Sequence, residues 1–200
     1  MLPNDIKENI LGLINEEAYK PSKKDELANI FVEEENDREE FFSILDELAE
    51  NGDIFINKRG KVGTLEDYEM KRGKFRSTKR AFGFVESEGE EKDVFIPEED
   101  RNGAFEGDIV IAKLTKEATE TKRPEGVIVK ILKRENKTVV GLFQKSKAFG
   151  FVLPDNKKFD QDIFIPKSAI NGAKNNDKVV WEIEVWPKDG KKPEGKIIEV

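Results

Sequence analysis

The chain has 200 residues, with 35 Lys or Arg, 42 Asp or Glu, a net charge of −7, and neither cysteine nor histidine. That length fits one large domain or two to three small ones. The composition excludes disulfides, thiolate nucleophiles, Cys- or His-based zinc sites and histidine general bases. The charge is uneven. Residues 1–70 carry 8 basic and 19 acidic side chains, residues 71–140 carry 16 and 14, and residues 141–200 carry 11 and 9. The acidity belongs to the first third, and the rest is mildly basic, which hints at a division of labour. The opening Met1-Leu2-Pro3-Asn4-Asp5-Ile6 lacks the regions of a signal peptide, and no apolar run approaches the ~20 residues of a membrane helix. A cytoplasmic protein without membrane contact is expected.

Residues 1–68 read as helical and then briefly extended. Ile6, Ile10, Leu13 and Ile14 fall at helical spacing. Ser22 is placed to cap a second helix carrying Leu27, Ile30 and Phe31. Asn36 or Asp37 starts a third, whose apolar face is Phe41, Phe42, Leu45 and Leu48. Asn51-Gly52 supplies a left-handed helix end. Ile54 and Ile56 then alternate with polar neighbours, residues 57–61 form a turn, and Val62 begins a return strand. Three helices followed by a hairpin is the order of a winged helix. The third helix holds Asp37, Glu39, Glu40, Asp46, Glu47 and Glu50, and phosphate repulsion argues against its entering a DNA groove. Lys58, Arg59 and Lys61 of the turn remain candidates for touching RNA. Protein contacts, or gating of RNA entry, are the other roles open to this acidic domain.

From residue 71 the pattern becomes short strands between Gly and Asn turns, and it repeats. Ala81-Phe82-Gly83-Phe84-Val85 recurs at Ala148-Phe149-Gly150-Phe151-Val152, 67 residues on. Asp93-Val94-Phe95-Ile96-Pro97 recurs at Asp162-Ile163-Phe164-Ile165-Pro166, now 69 residues on, so the second copy has a loop two residues longer. Asn102-Gly103-Ala104 matches Asn171-Gly172-Ala173, and Pro124-Glu125-Gly126 matches Pro193-Glu194-Gly195. Each unit offers five strands, near 71–77, 81–86, 93–97, 108–116 and 125–133, then near 138–145, 148–154, 162–166, 177–187 and 194–200. Five strands fit an OB-type barrel. The predicted fold class is α+β multidomain: a winged helix (1–68) followed by two five-stranded OB-type, cold-shock-like barrels (71–135 and 138–200).

Strand side chains alternate between faces. A barrel core takes Val85, Val94 and Ile96, which turns Phe82, Phe84 and Phe95 toward water. Leaving three rings outside forgoes about 1.5–3 kcal/mol of burial per ring. A stacking platform explains the arrangement, because each stacked base returns about 1–3 kcal/mol whatever its identity. The candidate stacking residues are therefore Phe82, Phe84, Phe95, Phe149, Phe151 and Phe164. Cations lie beside them: the ten residues 71–80 hold six and no acid, and Lys145-Ser146-Lys147 precedes the second motif. Lys74, Arg76, Lys79, Arg80, Lys145 and Lys147 are the candidate phosphate contacts.

These motifs carry a family resemblance. Residues 141–200 resemble a cold-shock domain along their whole length. Phe149-Gly150-Phe151-Val152 matches that family's first RNA-binding motif, and Ile163-Phe164-Ile165 matches its second. Pro166 and Pro97 stand where the family has a histidine, and Ala148 and Ala81 stand where it has a glycine. Its first-strand tryptophan is missing from both copies, which implies weaker or more transient binding than in a free-standing cold-shock protein. The full arrangement, over all 200 residues, resembles the N-terminal region of the ribonuclease R family, RNB-type bacterial 3′→5′ exoribonucleases. The resemblance implies a fragment that guides single-stranded RNA to a catalytic domain beyond this chain. There, clustered aspartates would hold Mg²⁺, and a further S1-type barrel would follow.

No catalytic residue, metal or cofactor is expected in the chain itself. Asp155, Asp160 and Asp162 are the nearest approach to a carboxylate cluster, but spread along one loop among lysines they are expected to be solvated. The runs Glu33-Glu34-Glu35 and 88–91 are expected to be solvated faces. Two other readings compete: a free-standing RNA-binding regulator or chaperone, and a DNA-binding winged-helix regulator with purely structural barrels.

Overall fold

A computed structural model describes the chain apart from residues 88, 90, 91 and 189, so the acidic run expected at 88–91 lies outside the described residues. The chain divides into two compact units, Met1–Arg72 and Gly73–Val200.

The first unit runs α1 (Ile6–Ile14), β1 (Ser22–Lys23), α2 (Lys24–Phe31), α3 (Arg38–Glu50), β2 (Phe55–Ile56) and β3 (Lys61–Gly63). Ile6, Ile10 and Ile14 of α1 meet Leu27 and Ala28 of α2 and Phe41, Leu45 and Leu48 of α3 in one core, closed by Ile54 and Val62. Helix α3 ends as its sequence predicts. Gly52 takes φ +77, its N–H bonds the Ala49 carbonyl at 3.1 Å, and the Asp53 N–H reaches back to Leu48 at 3.0 Å. This double closure satisfies carbonyls that the helix leaves open. The hairpin is also as expected, with Phe55 opposite Gly63 and Ile56 opposite Val62. The Asn57 side chain accepts the N–H groups of Arg59 and Lys61, each at 2.9 Å.

Two expectations fail here. Ser22 does not cap α2. It lies in β1, opposite Val62 of β3, and its hydroxyl donates back to the Lys20 carbonyl at 2.8 Å. Strand β1 thus completes a three-stranded sheet in the order β1-β3-β2. Ile30 is not a core residue but 65% exposed. Leu27, Ala28 and Phe31 already define the packed side of α2, and at 100° per residue position 30 falls away from it.

The second unit holds two barrels. The first is β4 (Met70–Ser77), β5 (Gly83–Ser87), β6 (Val94–Ile96), β7 (Ile109–Lys116) and β8 (Glu125–Lys133). The second is β9 (Thr138–Lys145), β10 (Phe149–Pro154), β11 (Ile163–Pro166), β12 (Lys178–Val185) and β13 (Glu194–Glu199). Both are closed and share one order, β4-β5-β6-β8-β7 and β9-β10-β11-β13-β12. Each has one parallel pairing, β6 with β8 and β11 with β13. Closure gives each terminal strand of the sheet a partner. The cores correspond position by position: Phe75, Val85, Val94, Ile96, Ala104, Val110 and Ile128 answer to Phe143, Val152, Ile163, Ile165, Ala173, Val179 and Ile197. Ala112 against Trp181 is the large volume difference between them.

Each barrel turns into β7 or β12 on an aspartate. Asp108 accepts the Phe105 N–H at 2.8 Å, and Asp177 accepts the Lys174 N–H at 2.7 Å. Asp108 is fully buried and also takes Arg134 Nη1 at 2.6 Å. Burial pushes its carboxyl up to about 6, against the pull of Arg134 and the Phe105 N–H. The folded chain therefore holds this proton more tightly than the unfolded chain, where aspartate titrates near 3.9. The stability it contributes is complete below about pH 4 and is lost as the pH rises through about 6. Relative to Asp108→Asn, the wild type should lose about 2–3 kcal/mol between about pH 4 and pH 7. Urea unfolding of both proteins across that range checks this, and parallel curves would contradict it.

Candidate nucleic-acid interface

Gly83 and Gly150 determine which way the rings point. A Cβ on Gly83 would stand 2.3 Å from Phe75 Cζ, and one on Gly150 would stand 2.2 Å from Phe143 Cε2. Phe75 and Phe143 are fully buried. The inward place under each motif is thus already occupied, and glycine alone leaves room for that ring. Alternation then turns the flanking phenylalanines outward. Strand register lines up Arg76, Phe84 and Phe95 across β4, β5 and β6. In the second barrel it lines up Gln144, Phe151 and Phe164.

All six candidate stacking rings are half-exposed, and they form two matching triangles. Phe82 lies 5.7 Å from Phe84 and 5.2 Å from Phe95, and Phe84 lies 5.8 Å from Phe95. Phe149 lies 5.4 Å from Phe151 and 5.5 Å from Phe164, and Phe151 lies 5.9 Å from Phe164. Edge-on and tilted packing holds each ring in place while leaving part of its surface open to solvent.

The expected cations divide into two groups. Lys79, Arg80, Lys145 and Lys147 are exposed beside the motifs, and among the described residues no ion pair engages them. Lys74 and Arg76 are half-buried in β4. Arg76 pairs with Glu86 at 3.1 Å and with buried Glu106 at 3.2 Å. Burial works against its charge, but these two hydrogen bonds outweigh it and hold its pKa above the ordinary value. Arg76 sits in line with the rings, but carboxylates already balance its charge. Glu106 also accepts the Ser77 N–H at 2.6 Å; Asn175 does the same for Lys145 at 2.8 Å. Its place in the loop is therefore structural in both barrels.

Two cations go beyond those expected from the sequence. Arg123 lies over the Phe84 ring at 4.9 Å, and Lys192 over the Phe151 ring at 5.3 Å. A cation over an aromatic face is attracted by the ring's quadrupole. Each immediately precedes the repeated Pro-Glu-Gly, so the signal is present in the sequence. What the sequence alone lacks is the parallel pairing that brings Glu125 beside Phe95 and Glu194 beside Phe164.

The carboxylates of the β10–β11 loop do not converge. Asp155 pairs with Lys178 at 2.5 Å. Asp160, expected to be solvated, is instead buried against Arg101, its side chain 2% exposed. Among the described residues no group of three candidate metal ligands forms.

Residues 73–131 match the Ribonuclease B OB domain, and residues 151–200 match a Cold shock domain. Ribonuclease R of Thermotoga maritima is 31% identical over 97% of this chain and 27% of its own length. Ribonuclease R of Escherichia coli is 30% identical over 90% of this chain and 22% of its own length. The chain thus spans about a quarter of the length of these curated relatives. Yeast Ssd1, described as a pseudonuclease, shares the fold with a TM-score of 0.55 at 19% identity, over 68% of this chain and 23% of its own. Mycoplasma genitalium RNase R, solved with ribose-methylated single-stranded RNA, does so with a TM-score of 0.55 at 17% identity, over 64% and 21%.

Adding a methyl group at either motif glycine should destabilise its barrel. Gly83→Ala and Gly150→Ala should each cost about 1–3 kcal/mol through overpacking against Phe75 or Phe143. Pairing Gly83→Ala with Phe75→Leu should recover part of that loss. Urea denaturation of the single and paired variants measures both effects.

Proposed function

We propose, from the likeness of nearly the whole chain to the N-terminal region of ribonuclease R, that its barrels bind single-stranded RNA and guide it toward a nuclease domain. The observation that carries this reading is the pair of matching phenylalanine triangles, each with a cation over one ring. Bases stack on Phe82, Phe84 and Phe95 and on Phe149, Phe151 and Phe164. Lys74, Lys79, Arg80, Lys145 and Lys147 contact phosphates, and Arg76 positions the first cluster. Arg123 and Lys192 lie within reach of the same backbone. In the whole protein the activity is 3′→5′ exoribonuclease hydrolysis, with Mg²⁺ held by a catalytic domain outside this chain. Residues 1–68 form a winged helix that makes protein contacts, residues 71–135 and 138–200 are the RNA-binding domains, and the protein is cytoplasmic. Among the described residues no helix is long and apolar enough to cross a membrane.

A second reading has one observation in its favour. Ssd1 shares this fold and is described as a pseudonuclease, so the architecture also occurs where no nuclease acts. An RNA-binding regulator would use the same ring faces. The coding sequence beyond residue 200 separates the two, because a nuclease requires an aspartate cluster there.

Phe82→Ala with Phe149→Ala should weaken single-stranded RNA binding by about 30-fold or more at fixed salt, one missing stack of about 1–3 kcal/mol per barrel, and leave the barrels folded. Undiminished affinity, or preference of the wild type for duplex DNA in competition, would contradict the proposal. Arg123→Gln with Lys192→Gln should flatten the slope of log affinity against log salt by about 1.4, at about 0.7 for each phosphate no longer neutralised. A salt titration reads this directly.

A further inference from the structure

The two-residue insertion that breaks the repeat lies between β10 and β11, and this loop joins the barrels. It brings Phe159 and Asp160 against the first barrel. Phe159 packs on Phe105 at 5.1 Å, and Phe105, though its chain position is in the first barrel, is fully buried in the second barrel's core. Trp186 meets Phe105 at 5.9 Å and lies under Arg134 at 4.1 Å. A Cβ on Gly103 would come within 2.4 Å of the Pro187 carbonyl oxygen. The Ser77 hydroxyl donates to the Lys158 carbonyl.

At the centre of this junction is Arg101, 6% exposed. Its Nη1 donates to Asp160 and, at 2.8 Å, to the Ala81 carbonyl; its Nη2 donates to the Ala104 carbonyl at 3.1 Å. The guanidinium also lies over Phe75 at 5.0 Å. Ala81 takes φ +68 and immediately precedes Phe82. Asp160 sits in the loop between the strands that carry Phe151 and Phe164. One buried cation therefore holds both the backbone beside the first ring cluster and the loop that joins two ring-bearing strands of the second. The repeat places Ile170 at the corresponding position of the other barrel, so this contact is made once.

We infer that Arg101 and Asp160 are a positioning pair that fixes the two ring clusters relative to each other, so that one RNA strand occupies both. This rests on the proposed RNA binding. The pair itself stays out of the RNA, because both side chains are buried. Fixed spacing acts through effective concentration: a strand bound at one cluster is presented to the other without a second search. Only RNA long enough to reach both clusters gains from it.

The test measures the affinity of the full chain for single-stranded RNAs of about 4 to 20 nucleotides, since one OB fold covers about 4–16. Asp160→Ala leaves the Arg101 contact with Ala81 possible. It should bind the shortest RNAs as the wild type does and lose on the order of 100-fold in affinity for the longest. Unchanged affinity for long RNA, or equal loss at every length, would overturn the inference. Residual dipolar couplings of the RNA-free wild type give a test that needs no variant. One common alignment for both barrels is expected, and two independent alignments would overturn the fixed spacing. A wild type that binds RNA of no length would instead refute the proposed function, while the couplings still decide whether the barrels are fixed.

Discussion

The contact between Phe75 and Gly83, and its copy between Phe143 and Gly150, is the constraint on which the outward ring face depends. A barrel this small has room for one large ring under the β4–β5 and β9–β10 hairpins, and that ring comes from the first strand of each barrel. The second strand must then put no side chain there. Once position 83 or 150 is empty, alternation leaves no choice for the residues on either side. The outward phenylalanines are thus a consequence of core packing, and they stay put because each is braced, edge-on or tilted, by two others of its own triangle. The arrangement forgoes burial in the free protein in return for an apolar surface that a stacked base can cover.

Charge follows a similar logic at shorter range than the net value conveys. A chain of net charge −7 is a poor polyanion ligand on average, but the Debye length is about 8 Å at physiological salt, and what matters is the charge within that distance of the rings. There the carboxylates Glu86 and Glu106 are tied to Arg76, and the exposed cations Lys79, Arg80, Lys145 and Lys147 flank the motifs. Arg123 and Lys192 add charge directly over a ring. The acidic helices belong to the first unit, Met1–Arg72, and their charge repels phosphate.

Much of this is legible in the sequence because the repeat supplies two independent readings of one barrel. The number of strands, the ring orientation and the core positions Val85, Val94 and Ile96 follow from the repeat and from alternation. What stays hidden depends on pairing between distant strands. Arg123 and Lys192 are remote in sequence from the rings they cover, and only the parallel pairing of β6 with β8 and of β11 with β13 brings them together. Ser22 reads as a cap because local capping chemistry competes with a partner strand forty residues away, and in the fold the strand wins. Asp160 reads as solvated because a loop aspartate among lysines looks so until another barrel supplies a buried arginine.

The two barrels agree where the repeat is kept and differ where it is broken. Corresponding ring separations match within 0.3 Å, although the cores beneath differ by as much as Ala112 against Trp181. The junction shows no such symmetry. Arg101, Phe105 and Arg134 come from the first barrel, while Phe159, Asp160 and Trp186 come from the second. Two equal sites joined by a flexible tether would need no such junction. A junction that buries an arginine, an aspartate and several rings has to be satisfied in one geometry, because a buried charge that loses its partner is costly. In the proposed function the duplicated faces supply the stacking surface, and the unduplicated loop sets the distance between them.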